Sequence, residues 1–158
     1  MTCSYTFDWT SSAACPIQIP PDLSCLFTLG GKIYDFRLLD QTWAISGFSS
    51  YNYYLNPCSA INITVPRTCA ESRGCEVPIF DPFSGNSIGR VLTDIQPGLG
   101  APGSVVVFRI SDGDYCSGNA IYRTTEISFG CGPDLGYPQF ESEYLCYYRF
   151  KWLTSLVC

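Results

Sequence analysis

The chain has 158 residues, enough for one domain with a sizeable core and too few for two of ordinary size. Nine basic residues stand against fourteen acidic ones, with no run of Lys or Arg, which argues against nucleic acid and anionic membrane surfaces as partners. Ten cysteines and no histidine point to an oxidising compartment and a disulfide framework; a zinc centre would need Cys/His ligands paired at short spacing, and even the closest cysteines, Cys69 and Cys75, stand too far apart for that.

The chain opens at Met1-Thr2-Cys3 without the charged start and apolar run of a signal peptide. The cysteines nevertheless ask for secretion, so the chain reads as a piece of a longer protein whose leader lies upstream. Cys3–Cys15 and Cys146–Cys158 share one pattern, Cys-x-Tyr-x-Phe-x-Trp followed by small and apolar residues and a cysteine. In each, alternate residues are aromatic and the others polar, the period-two signature of a strand with one face in a core. The two copies lie one domain length apart. Residues 1–15 are therefore expected to be the C-terminal strand of a preceding repeat. Residues 16–24 form a Pro-rich linker, semi-rigid over Pro16–Pro21, and residues 25–158 form the repeat itself. Its strands are expected at Lys32–Leu38, Ser50–Leu55, Gly74–Ile79, Ile88–Leu92, Ser104–Ser111, Ile121–Phe129 and Leu145–Trp152, rich in Tyr, Phe, Val, Ile and Thr. The stretches SGNS, QPGLGAPGS, SDGD and GCGPDLGYP between them carry turn chemistry. Leu38–Trp43 allows at most one turn of helix. Asn62-Ile63-Thr64 is a sequon, an acceptor for a glycan in the secretory pathway. The longest apolar stretches, such as Val105–Phe108, are far too short to span a bilayer. The fold expected is all-β, a sandwich or flattened barrel.

Six stretches in order carry a resemblance. They are Tyr34-Asp35-Phe36-Arg37-Leu38-Leu39, Tyr53-Tyr54-Leu55-Asn56-Pro57-Cys58, Ser111-Asp112-Gly113-Asp114-Tyr115-Cys116, Arg123 to Cys131, Pro138-Gln139-Phe140, and Cys146 to Cys158. Together the chain resembles the mannose 6-phosphate receptor homology repeats of the P-type lectins, as found in tandem in a large receptor. The resemblance implies a flattened β-barrel of two antiparallel sheets, placed in the lumenal or extracellular part of a single-pass membrane receptor of the Golgi, endosome and lysosomal pathway. It implies the pairs Cys25–Cys58, Cys69–Cys75, Cys116–Cys146 and Cys131–Cys158, with Cys3 and Cys15 left over.

It also implies a sugar site. These lectins hold mannose with Gln, Arg, Glu and Tyr side chains. That mixture suits hydroxyls that donate and accept, because it joins a rigid fork of N–H donors, a carboxylate acceptor and a phenol with an apolar face. Carried onto this chain, the Arg is Arg123, the Glu is Glu143 (with Glu141 as fallback) and the Tyr is Tyr148. The Gln position is Glu76, a departure that loses an amide donor and adds a negative charge. The loop near the family's phosphate carries Asp112, Asp114 and Tyr115, and carboxylates there repel a phosphate dianion unless a divalent cation bridges them.

The expected function is a lectin repeat recognising mannose-type glycans of lysosomal enzymes, phosphorylated or not, with neighbouring repeats of the parent chain as partners. The alternative is a spacer or protein-ligand-binding repeat of the same kind of receptor. No cofactor, metal, nucleic acid or membrane contact by this segment is expected. Without histidine, Ser-His and Cys-His catalysis are ruled out. Glu141 and Glu143, read as two positions on one loop, do not form the opposed carboxylates of a glycosidase.

Overall fold

The computed structural model describes residues 25–46, 50–64, 66–98, 104–116, 118 and 120–158. The Cys3–Cys15 segment and the Pro16–Pro21 link lie outside the described residues. The chain enters through a hairpin of β1 (Leu26–Leu29) and β2 (Lys32–Asp35), turned by Gly30 and Gly31, both at positive φ. The strand expected to reach Leu38 stops at Asp35, whose carboxylate accepts from the Arg37 backbone N–H at 3.1 Å and from Arg37 Nε at 2.9 Å. That local bonding sets a 3-10 turn over Arg37–Leu39.

A four-stranded antiparallel sheet follows, made by β3 (Trp43–Ser46), β4 (Tyr51–Leu55), β5 (Gly74–Pro78) and β6 (Asn86–Gly89) in that spatial order. The expected strand Ile88–Leu92 is in fact two strands. At Arg90 the chain leaves β6 and begins β7 (Val91–Pro97) in the other sheet. The crossing brings the Gly89 backbone so close to Ile110 that a Cβ would lie 2.8 Å from its carbonyl oxygen. Strand β8 (Ser104–Ser111) returns beside β7, and a two-residue ladder of β9 (Tyr115–Cys116) with β10 (Ile121–Tyr122) precedes β11 (Thr124–Cys131). The expected strand Ile121–Phe129 is thus interrupted at Arg123. Strands β12 (Pro138–Tyr144) and β13 (Tyr147–Thr154) complete a five-stranded sheet ordered β12-β13-β11-β8-β7. All neighbours in it run antiparallel except β11 and β13, which are parallel.

Alternation along β13 buries Tyr148, Phe150, Trp152 and Thr154 and turns the residues between them outward. The two sheets and the entry hairpin close over these rings. Phe36 packs 4.9 Å from Phe108 and 4.8 Å from Phe129, Trp43 lies edge-on to Trp152 at 4.9 Å, and Tyr53 stacks on Phe140 at 4.6 Å, measured between ring centroids. Each fully buried ring of this kind contributes about 1.5–3 kcal/mol. A second, smaller cluster lies on the other side of β5, where Cys75 and Val77 pack with Ile61 and Cys69 beneath the segment 56–73. The disulfides formed are Cys25–Cys58, Cys69–Cys75, Cys116–Cys146 and Cys131–Cys158, the four pairs that the resemblance implied. Among the described residues no helix is long and apolar enough to cross a membrane.

Candidate functional site

Strand β5 turns Cys75 and Val77 toward the outer cluster, which leaves Glu76 facing the opposite way, into the space between the sheets. Tyr148, the second residue of β13, faces the same space from the other sheet, flanked by Thr125 on β11 and Glu143 on β12. Arg123 sits immediately before β11. Its backbone N–H donates to Asp114 O at 3.1 Å and its carbonyl accepts from the Gly113 N–H at 3.0 Å. This close apposition needs glycine at 113, since a Cβ there would lie 2.5 Å from Ser87 O and 2.7 Å from Arg123 Cβ.

Three of these side chains bond to one another. The Tyr148 hydroxyl donates to Glu76 Oε2 at 3.0 Å and accepts from Arg123 Nε at 3.1 Å. Arg123 Nε also lies 3.3 Å from Glu76 Oε1, an ion pair whose side chains are only 16% and 5% exposed. Asn86 Nδ2 donates to the same Glu76 oxygen at 2.9 Å, and Arg123 Nη1 donates to Tyr115 O at 3.1 Å. Tyr148 itself is 1% exposed. The ring of bonds is therefore closed. The phenol donates a hydrogen bond to one charged partner and accepts one from the other.

The electrostatics follow this geometry. Burial, then the Glu76 charge, pushes the Tyr148 phenol well above its ordinary range, against the opposing effect of Arg123. Burial weakens the Arg123 guanidinium as a base. Its donation to Tyr148 and the Glu76 and Asp114 carboxylates outweigh that, so its pKa rises. Glu143 is exposed at the edge of this cluster. Partial desolvation and then the Glu76 carboxylate raise its pKa, with Arg123 holding it back.

The acidic loop has one of its two carboxylates bonded within the fold. Asp114 Oδ2 accepts from the Ser87 N–H at 2.8 Å and Oδ1 accepts from Arg90 Nη2 at 2.5 Å. Arg90 Nη1 also donates to Asp112 O at 2.9 Å. The Asp114 charge is thus matched within the fold. The Tyr115 ring is exposed and meets Tyr122 edge-on at 5.7 Å. Glu141 and Glu143 lie on strand β12 and not on a loop; Glu141 falls in the bulge between Phe140 and Ser142 and is exposed. Asn62 is exposed on the far side of β5 from Glu76.

Two contributors escaped the sequence reading. Asn86, which holds Glu76, belongs to the SGNS stretch read as turn, yet it opens β6. Arg90, which clamps the acidic loop, sat inside an expected strand. The only sequence signal for it was a cation within an otherwise apolar run. Among the described residues no cluster of three His, Cys, Asp or Glu is placed to hold a metal.

Comparison with known proteins gives the following. The human cation-independent mannose-6-phosphate receptor is 30% identical to this chain over 166 aligned positions, which take in 99% of this chain and 6% of the receptor. No family model matches. Among solved structures, chicken IGF2R domain 11 superposes with a TM-score of 0.68 at 21% identity, covering 85% of this chain and 90% of that one. Domain 11 of the corresponding echidna receptor gives 0.62 at 24%, covering 85% and 94%. The MRH domain of Yos9, solved in complex with alpha3,alpha6-Man5, gives 0.52 at 14%, covering 75% and 76%. At these identities the superpositions establish the shared fold.

Proposed function

From the premise that the chain is a mannose 6-phosphate receptor homology repeat, we propose that it serves a lumenal sorting receptor of the lysosomal pathway as a spacer and protein-contacting repeat, its mannose site closed from within by Glu76. The observation that carries this reading is the Glu76–Arg123–Tyr148 ring. The groups that would meet sugar hydroxyls are engaged with one another. A hexose would have to displace a largely buried ion pair, and leaving one partner of such a pair uncompensated costs about 3–5 kcal/mol. That is comparable to the whole binding free energy of a millimolar ligand, about 4 kcal/mol.

A second reading, a lectin repeat for mannose-type glycans, draws support from the convergence of Arg123, Tyr148 and Glu143 at one place. On either reading phosphate is not the selecting group. Arg123 is committed to Glu76, and Arg90 to Asp114. Four disulfides suit the lumenal compartment. The repeat acts by contact and not by catalysis; its paired carboxylates, Glu141 and Glu143, share one strand. Residues 1–15 belong to the preceding repeat of the parent chain, joined through 16–24 to this one at 25–158.

A glycan array with calorimetry separates the readings. The wild-type chain is expected to leave mannose and mannose 6-phosphate unbound, and Glu76→Gln to gain mannose binding, because the neutral amide no longer holds Arg123. Wild-type binding that disappears in Arg123→Ala would overturn the closed-site reading in favour of the lectin.

A further inference from the structure

Asn62 lies in the segment between β4 and the 3-10 turn at Arg67–Cys69, outside any strand. Four consecutive residues there alternate. Ile61 is buried and Ile63 partly buried, both packing on the Cys69, Cys75 and Val77 cluster, whereas Asn62 and Thr64 are exposed. The sequon's two functional side chains therefore share the solvent side of the segment. The backbone beneath them is fixed. The Ile61 N–H donates to Ser72 O at 2.7 Å and the Asn62 N–H to Thr42 Oγ1 at 2.6 Å. We infer that Asn62 is an N-glycosylation site whose oligosaccharide stands on the outer face of this segment, on the opposite side of β5 from Glu76.

The donor class is a lipid-pyrophosphate-linked oligosaccharide. Asn62 Nδ2 forms a bond to the anomeric carbon while the bond from that carbon to the pyrophosphate oxygen breaks. The amide loses one proton, and the lipid pyrophosphate leaves with the electron pair of the broken bond, so nothing is oxidised or reduced. Ile63 at the middle position satisfies the need for a residue other than proline. The transferred glycan meets no conflict in the folded chain, because the residues that must pack, Ile61 and Ile63, point the other way. It covers the thin layer over Cys69–Cys75 and closes that face to protein partners, while leaving the Arg123 cluster untouched.

The inference rests on the lumenal placement proposed above. The test takes the full-length parent chain from its own cells, digests it, and treats it with peptide N-glycosidase in heavy-oxygen water. The expected result is heavy-oxygen aspartate at position 62. A chain carrying Thr64→Ala, made in secretory cells, is expected to run lighter by one glycan, and Thr64→Ser to retain it. Unmodified Asn62 in a chain whose cysteines are paired would overturn the inference and leave the lumenal placement standing. Unmodified Asn62 together with reduced cysteines would overturn both.

Discussion

Glu76 joins Arg123, Tyr148 and Asn86 while almost fully withdrawn from water. Removing it strands a guanidinium in a largely buried position. Glu76→Ala is therefore expected to lower the unfolding free energy by about 3–5 kcal/mol in urea melts, and Tyr148→Phe by about 1–3 kcal/mol, since it leaves two polar partners short of a bond. Glu143 gives a pH signature. Its folded pKa lies above the ordinary 4.5, so the folded chain binds that proton more tightly than the unfolded chain does. Its ionisation then costs stability as pH rises through the window just above 4.5. Glu143→Gln is expected to match the wild type below that window and to melt higher above it, as thermal melts across the range would register. The departure at position 76 was legible in the sequence. Its consequence was not, because the closed ring depends on how near β5 comes to β13, and these belong to different sheets.

Among the elements, the loop between β8 and β11 does the most positioning for its length. It holds Arg123 by two backbone bonds and supplies the Tyr115 carbonyl to its guanidinium. Gly113→Ala puts a methyl against Ser87 O and Arg123 Cβ, so the loop must shift. The expected cost is about 1–3 kcal/mol, with the displacement of Arg123 visible as a moved amide cross-peak in NMR spectra. Strands with strict alternation, such as β8 and β13, were readable from the sequence because one side of each is core. Strand β12 was not. It begins at a proline, bulges at Glu141, and from Glu141 to Tyr144 exposes every residue, which leaves no period to detect. Strands β1 and β3 are four residues each, too short to stand out from turn chemistry. The division of 88–92 between two sheets was hidden because Ile88, Val91 and Leu92 favour strand and only Gly89 interrupts them.

For the molecule as a whole, the cysteines were the strongest guide to the fold. Their connectivity came only from the resemblance, since spacing cannot choose among the many pairings of eight cysteines. Cys116–Cys146 ties the β9–β10 ladder to the turn before β13, across a sequence separation of 30. Replacing both with alanine is expected to cost about 3.6 kcal/mol on the chain-entropy account, measurable by guanidinium unfolding. It should also free the strand that carries the Tyr115 carbonyl. The placement of β13 has a further consequence, for biosynthesis. Drawn from the last stretch of the sequence, it occupies an interior slot, with β11 on one flank and β12 on the other. Until β13 has left the ribosome, β11 presents an unfinished edge, because the strand that fills it is still missing. Folding of the repeat therefore waits on the synthesis of β13, and nascent chains stalled before β13 should be the ones that chaperones retain.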